Sequence, residues 1–300
     1  MKTSSNAFHE PAPLGFLASE YAGQPPETAA FHFWPVPLEC SVSYGSGTRR
    51  GPEQLLAASQ QLEKWDGHGC PGDAGLFTGQ PCRVDAPIER VLADIEQRVE
   101  WSWSLDATPL LFGGEHTVSV GAFRALAKRA VPVGVVQFDA HADLRAEYQN
   151  SPWSHACVMR RAHELGLPIS QWGVRALSPE EVDYRRVHAI HHVDADVLAA
   201  GPLPALQLPP DFPPEVYVTL DVDVLDPAVM PATGTPEPGG LFWWPCCRLL
   251  AELAAQRRII GVDVVELAPI PGQHAPDFLV AKLVYYLCGL LTRSAGQASS

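Results

Sequence analysis

Val133-Gly134-Val135-Val136-Gln137-Phe138-Asp139-Ala140-His141-Ala142-Asp143 is a short, mainly apolar run that ends abruptly in three ionisable side chains. An apolar run without strict alternation reads as a strand buried on both faces, as in a parallel sheet covered by helices. At an extended strand end, residues two apart point the same way. Asp139, His141 and Asp143 share that spacing and can address one point.

The same kind of run recurs outward from this stretch. Candidate strands are Phe31–Val36, Pro109–Phe112, Gln171–Val174, Ala189–Val193, Val216–Leu220 and Ile259–Val264. Helical patterns lie between them, including Pro52–Lys64, Ala86–Val99, Val118–Arg129, Ala156–Leu165, Pro245–Ala255 and Pro276–Leu291. The alternation predicts an α/β fold, a three-layer, doubly wound, mostly parallel sheet. In such sheets ligands sit beyond the carboxyl ends of the strands. Tyr21–Ala30 and Pro202–Pro214 read as proline-rich surface loops, with no internal repeat or linker, so residues 1–300 are expected to form a single domain. A chain of 300 residues is long enough for that domain to bury a full core.

A formal charge of −13 makes nucleic acid and anionic membranes poor partners. The N-terminal stretch MKTSSNAFHEPAPLGF lacks the apolar core of a signal peptide. Phe278–Leu291 is interrupted by Lys282, is too short to span a bilayer, and reads as a buried C-terminal helix. Seven cysteines, an odd number without zinc-type spacing, are expected to be reduced thiols of a cytoplasmic protein. Cys70 and Cys82 are the one pair considered, and they are expected not to bridge.

Four candidate strands end in polar clusters. Gly113-Gly114-Glu115-His116 follows the second, Asp139 to Asp143 the third, and Asp221-Val222-Asp223-Val224-Leu225-Asp226-Pro227 the sixth; Ile259–Val264 runs into Glu266. Each piece alone has an ordinary reading. A strand-end aspartate usually caps a helix or closes a turn, a single His116 is usually a satisfied polar residue, and Asp226-Pro227 is left as a turn. Together, four aspartates aimed at one crevice would repel unless cations neutralise them. Oxygen-rich ligation with two imidazoles favours a hard ion such as Mn²⁺ over zinc. The set can serve two such ions, roughly 3.5–4 Å apart if they share a solvent molecule.

At these residues the chain resembles the ureohydrolases, the arginase and agmatinase superfamily. The matching stretches are GGEH at 113–116, DAHAD at 139–143, DVDVLDP at 221–227, ATGTP at 232–236 and DVVELAP at 263–269, with SYGSGTRRGP at 43–52 extending the likeness. The resemblance implies an arginase/deacetylase-like fold, two Mn²⁺ per chain and urea release from a guanidino compound. It implies His116, Asp139, Asp143 and Asp221 on the first ion and Asp139, His141, Asp221 and Asp223 on the second, with Asp139 and Asp221 bridging. By the same resemblance Glu266 binds the guanidinium, His155 shuttles a proton with Asp139 as a further relay, and Thr235 lines the pocket. The competing reading of His155 is a surface-loop histidine. The resemblance also implies a homo-oligomer, trimeric or hexameric.

For the substrate, the loop Leu144–His155 lacks the Asn/Ser/Thr-rich character with which arginases hold an α-carboxylate, and Gly173-Val174-Arg175-Ala176-Leu177-Ser178 lacks their aspartates. Agmatine is therefore expected ahead of arginine, giving putrescine and urea. Glu147 is a candidate partner for its distal ammonium, with Trp153 or Tyr148 as an aromatic wall. A solvated loop charge is the competing reading of Glu147. N1-aminopropylagmatine stays open, as does guanidinobutyrate with Arg145 or Arg175 as counter-charge. The other classes considered are a mononuclear zinc amidohydrolase, which generally has fewer carboxylates, and a non-catalytic relative, which would normally have lost a ligand.

Overall fold

In the computed structural model, which describes residues 9–298, Val133–Phe138 is the fourth of eight strands: β1 (Phe31–Val36), β2 (Leu76–Thr78), β3 (Thr108–Gly113), β4 (Val133–Phe138), β5 (Ile169–Trp172), β6 (His191–Val193), β7 (Glu215–Asp221) and β8 (Arg258–Val265). They form one sheet in the order β2-β1-β3-β8-β7-β4-β5-β6, and every pairing is parallel. The helices are α1 (Gly51–Ser59), α2 (Ile88–Ser104), α3 (Ser119–Ala127), α4 (Val158–Glu164), α5 (Pro179–Val187), α6 (Ala195–Ala199), α7 (Trp243–Gln256) and α8 (His274–Ala298).

The unbroken apolar character of the strands follows from two cores, one on each face. Phe33, Leu110, Phe112, Val136, Phe138, Val218 and Leu220 face a core shared with α1, α7 and α8. Trp34, Val36, Leu111, Val135 and Tyr217 face the opposite core, shared with α2, α3 and α4. Successive residues of one strand thus enter different cores, so neither face can be polar.

Register brings the polar clusters together. Phe112 pairs with Val264, Val264 with Leu220, and Leu220 with Phe138. One apolar row therefore crosses β3, β8, β7 and β4. The clusters beyond that row emerge side by side at the carboxyl edge, although 150 residues separate His116 from Glu266.

Three elements escaped the sequence reading, the five-residue helix α6 among them. β2 is only three residues long, too short to show a period. Helix α5 carries a capping box: Ser178 accepts from the Glu181 backbone N–H, and the Glu181 side chain accepts from the Ser178 N–H. That S-x-x-E spacing was available as a signal. Helix α8 is longer than the stretch read for it. Over His274–Ser294 it is long and apolar enough to cross a membrane by length and composition, but 67% of its most apolar window is buried in the protein, and α8 packs on α1 and α7. All seven cysteines are unbridged, Cys70 and Cys82 included. Residues 1–8 of the stretch read for a leader lie outside the described residues.

Candidate functional site

His116 reaches the site because two glycines let its strand end lie against another loop. A Cβ on Gly114 would stand 2.0 Å from the Leu38 carbonyl oxygen, and one on Gly113 would stand 2.7 Å from both Val118 and Val265. Only glycine allows that approach. His116 then starts a 3₁₀ turn and is buried. Its Nε2 lies 2.8 Å from the Thr219 hydroxyl, which donates to Asp263 Oδ1 at 2.6 Å. Because that hydroxyl proton is committed to the carboxylate, Thr219 accepts from Nε2–H. In the neutral ring these partners therefore place the hydrogen on Nε2 and leave Nδ1 bare for a cation.

That bare nitrogen faces carboxylates. Nδ1 lies 3.0 Å from Asp143 Oδ2, 3.2 Å from Asp139 Oδ2 and 3.5 Å from Asp221 Oδ2. Despite these distances it is buried without a hydrogen-bond partner. On the other side of Asp139, His141 Nδ1 lies 3.6 Å from Asp139 Oδ1 and 2.9 Å from Asp223 Oδ2. Two groups thus form, His116 with Asp139 and Asp221, and Asp139 with His141 and Asp223, each with ligand atoms within 4.8 Å of one another. Asp139 belongs to both. Each group has the donor set and spacing to hold a metal ion.

The carboxylates are held from behind. Asp139 accepts from Gln137 Nε2 at 2.7 Å and from the His141 N–H at 2.6 Å. Gln137 is fixed by Gln171, and Gln171 accepts from Arg185, which is paired with Asp194. Asp223 accepts from the Ala140 N–H, and Asp221 from the Asp223 N–H. Asp143 sits at φ +53°, a conformation L side chains rarely adopt and one that clusters at functional sites.

Electrostatically the cluster demands positive charge. Burial, with Asp139 next in effect, pushes Asp143 up to about 7. Burial, then Asp223 and Asp139, holds Asp221 well above the usual carboxylate range. Burial opposes charge on His141, but Asp223 and Asp139 outweigh it and push the imidazole up to about 12. His116 is likewise raised, by Asp139 and Asp143. Such a cluster takes up protons unless cations replace them.

Glu266 stands beside this centre at φ +66°, buried, with its N–H on the Gly114 carbonyl. Its Oε1 accepts from the His116 N–H at 2.6 Å, while a Cβ on Gly234 would come within 3.9 Å of Oε2. Burial and nearby Glu115 raise its pKa well above normal, so a cationic ligand would relieve it. Gly234 belongs to the ATGTP loop, and its carbonyl accepts from the Gly45 N–H at 3.0 Å. Thr235, next in that loop, is half-buried. His155 follows the loop after β4, with Nδ1 3.1 Å from the Ser41 hydroxyl and the Tyr148 ring edge-on to it. Burial lowers its pKa.

The remaining candidates divide between those placed as expected and those engaged elsewhere. Glu147 is exposed, with no hydrogen bond or ion pair among the described residues. Trp153 is turned away onto Arg124, whose guanidinium lies 5.0 Å from its ring, and packs against the α3 side. Of the two aromatic walls considered, only Tyr148 stands by His155. Arg175 is not a counter-charge for a substrate carboxylate, because its guanidinium donates to the carbonyls of Asp223 (2.6 Å), Glu237 (2.8 Å) and Gly173 (3.0 Å). Arg145 lies over the Tyr148 ring and 3.9 Å from Glu181. Asp226 closes a turn as expected, accepting from Ala228, Gly239 and Gly240 N–H groups. Sequence reasoning gave no role to Ser41, Glu115, Gln137, Thr219 or Asp263. Only the position of Glu115 and Asp263 inside the quoted motifs hinted at one.

The profile of the Arginase family matches residues 29–289. An N(1)-aminopropylagmatine ureohydrolase of Synechocystis sp. is 37% identical over 92% of this chain and 94% of its own length. An agmatinase of Pyrococcus horikoshii is 32% identical over 86% of this chain and 90% of its own. The crystal structure of the agmatine ureohydrolase of Thermoplasma volcanium superposes with a TM-score of 0.82 at 27% identity, covering 95% of this chain and 96% of that one. A profile match over most of the chain and full-length likeness to such enzymes converge on the strand-end cluster, and the chain belongs to the arginase family as an agmatinase-like ureohydrolase, a hydrolase of amidine carbon–nitrogen bonds.

Proposed function

We propose that the chain is a binuclear manganese ureohydrolase that releases urea from agmatine-type guanidines, N1-aminopropylagmatine and agmatine. The observation that carries this reading is Asp139, shared between two His/Asp groups beside the carboxylate of Glu266. His116, Asp139, Asp143 and Asp221 would hold one Mn²⁺ and Asp139, His141, Asp221 and Asp223 the other. Four ionised aspartates balance two divalent cations in formal charge, and the oxygen-rich donor set suits manganese. When bound, the ions supply the Lewis acidity that makes a hydroxide nucleophile available near neutral pH.

The protein's own groups orient the substrate. Glu266 keeps Oε1 on the His116 N–H and presents Oε2 to the guanidinium, a charge-assisted contact that aims its carbon at the centre. Thr235, following Gly234, lines the same space. Attack on that carbon breaks its bond to the alkyl amine, and His155 gives the departing nitrogen its proton, with Asp139 as a further relay. Glu147, exposed and unpaired, together with Tyr148, receives the distal ammonium.

Four relatives at 32–37% identity, each matched over 92% of this chain, are N(1)-aminopropylagmatine ureohydrolases, which supports the longer amine. The proposal takes residues 1–300 as one catalytic unit. Large exposed apolar side chains, Trp244 at 76% and Phe242 at 52%, support a homo-oligomer, with a trimer or hexamer expected. The seven unbridged thiols support a cytoplasmic setting.

The test is urea release by Mn²⁺-loaded protein from N1-aminopropylagmatine, agmatine, guanidinobutyrate and arginine, with bound metal counted. Urea from either of the first two, lost in Asp139→Ala, is the expected result. Turnover confined to guanidinobutyrate or arginine, or no turnover with two Mn²⁺ bound, overturns the substrate assignment.

A further inference from the structure

We infer that Glu115 and Ser41 act together as positioning residues for His155, fixing which ring nitrogen carries the proton. This rests on the proposed role of His155 in proton transfer. Glu115 is fully buried, and its carboxylate is saturated by donors. Oε2 accepts from the Cys40 N–H at 2.6 Å and the Ser41 N–H at 2.7 Å. Oε1 accepts from the Ser41 hydroxyl at 2.8 Å and the Cys40 thiol at 3.2 Å. Four donors converge on the carboxylate, which faces Ser41 as an acceptor.

The consequence passes through one hydroxyl. Ser41 has a single O–H proton, and it is committed to Glu115. Its oxygen can therefore only accept from His155, whose backbone N–H lies at 3.0 Å and whose Nδ1 lies at 3.1 Å. Nδ1 then carries the hydrogen, and in the neutral ring Nε2 is the bare nitrogen free to exchange a proton. The other neighbour of Nδ1, the Ser154 hydroxyl, is more distant at 3.4 Å. Tyr148 meets the ring at 84°, with centroids 6.1 Å apart, and limits its swing. Without Glu115 as acceptor, the Ser41 hydroxyl could reverse, donate to Nδ1, and place the hydrogen on Nε2 instead.

The fold brings these three residues together from distant positions. β1 and β3 are paired up to Val36 and Gly113, and the chains continue in contact, with Gly114 N–H on the Val36 carbonyl and Glu115 N–H on the Leu38 carbonyl. This places Glu115 under Cys40 and Ser41. His155 arrives from the loop after β4 and closes onto Ser41. The glycine at 114 thus serves the Glu115–Ser41 contact as well as the approach of His116.

The test is a double-mutant cycle in the Mn²⁺-loaded enzyme, reading urea release from agmatine and N1-aminopropylagmatine. His155→Asn is expected to lower kcat within the roughly 10²–10⁴-fold range of a lost proton-transfer group. Ser41→Ala is expected to lower kcat about tenfold or more, with KM within about twofold and bound metal unchanged, as befits a group acting on the proton-transfer step alone. Ser41→Thr, which keeps the hydroxyl, should recover most of that loss. In the His155→Asn background, Ser41→Ala should have no further effect. Glu115→Gln, whose amide can donate to Ser41, should behave as Ser41→Ala does, and melting curves of each variant report folding. Equal loss from Ser41→Ala in both backgrounds, or a loss confined to KM or metal content, would overturn the positioning role and leave the His155 reading intact. Undiminished kcat in His155→Asn would remove both.

Discussion

Replacing Thr219 with Val removes one oxygen from the interior and leaves the volume nearly unchanged. Thr219 is fully buried, and its hydroxyl links the His116 ring to the Asp263 carboxylate, at 2.8 Å and 2.6 Å. The variant leaves an imidazole N–H and a carboxylate oxygen without that partner. A buried polar group so orphaned costs about 1–3 kcal/mol, more when charged. The metal-free protein should lose about 2–4 kcal/mol of stability, part of the penalty being relieved by local movement. At ~2–4 °C per kcal/mol for a large domain, that is a fall in Tm of roughly 5–15 °C. The imidazole would also lose the contact that fixes its tautomer and aim, and loss of such a contact typically weakens metal binding about 10–100-fold. The assay is Mn²⁺ titration of metal-stripped protein, following free Mn²⁺ by its paramagnetic resonance signal, with melting curves on the same samples. Stability loss with Mn²⁺ affinity unchanged within about twofold would refute the reasoning, because Thr219 would then be a packing residue with no hold on the ligand.

Two other perturbations test different parts of the site. In the metal-free protein, Asp143 is raised to about 7 against an ordinary 3.8, so between those values the folded state keeps a proton that the unfolded state has released. Stability must then fall as pH rises from about 4 to 7, by at most ~4 kcal/mol from this group, and the raised His116 and His141 extend the fall above their unfolded pKa. Mn²⁺ should restore stability most strongly near pH 7; a metal-free Tm that climbs steadily over this window contradicts the assignment. For Arg175→Lys, a point charge replaces the planar fork that binds the carbonyls of Asp223, Glu237 and Gly173. Stability should drop by about 2 kcal/mol and kcat/KM by roughly tenfold; wild-type melting and kinetics would show that the fork holds nothing of consequence.

Much of this architecture was legible along the chain. Apolar runs mark strands buried on both faces, and β1 and β4 match the expected boundaries residue for residue. The candidate ligands gather at one edge, but not by extended alternation alone, since Asp223 lies in a 3₁₀ turn after β7 and Asp143 stands beyond β4 at positive φ. The expected doubly wound sheet is present, with every pairing parallel rather than most of them. The short strand β2 carried no period, and the capping signal of α5 was present but not used.

The chain alone therefore gave the class of chemistry: the longer strands, and the carboxylates and imidazoles that follow them. Only tertiary structure decided who stands behind them. Whether Arg175 faces a substrate or three carbonyls, whether Trp153 walls the pocket or covers Arg124, and whether Ser41 reaches His155 all depend on packing between segments far apart in the chain. A hydrogen bond is fixed by a few tenths of an ångström and by angle, and those are set when the β3-β8-β7-β4 strands align and their loops compete for the same space. Residue type and spacing name the candidates, but the direction of each donor exists only in the folded protein.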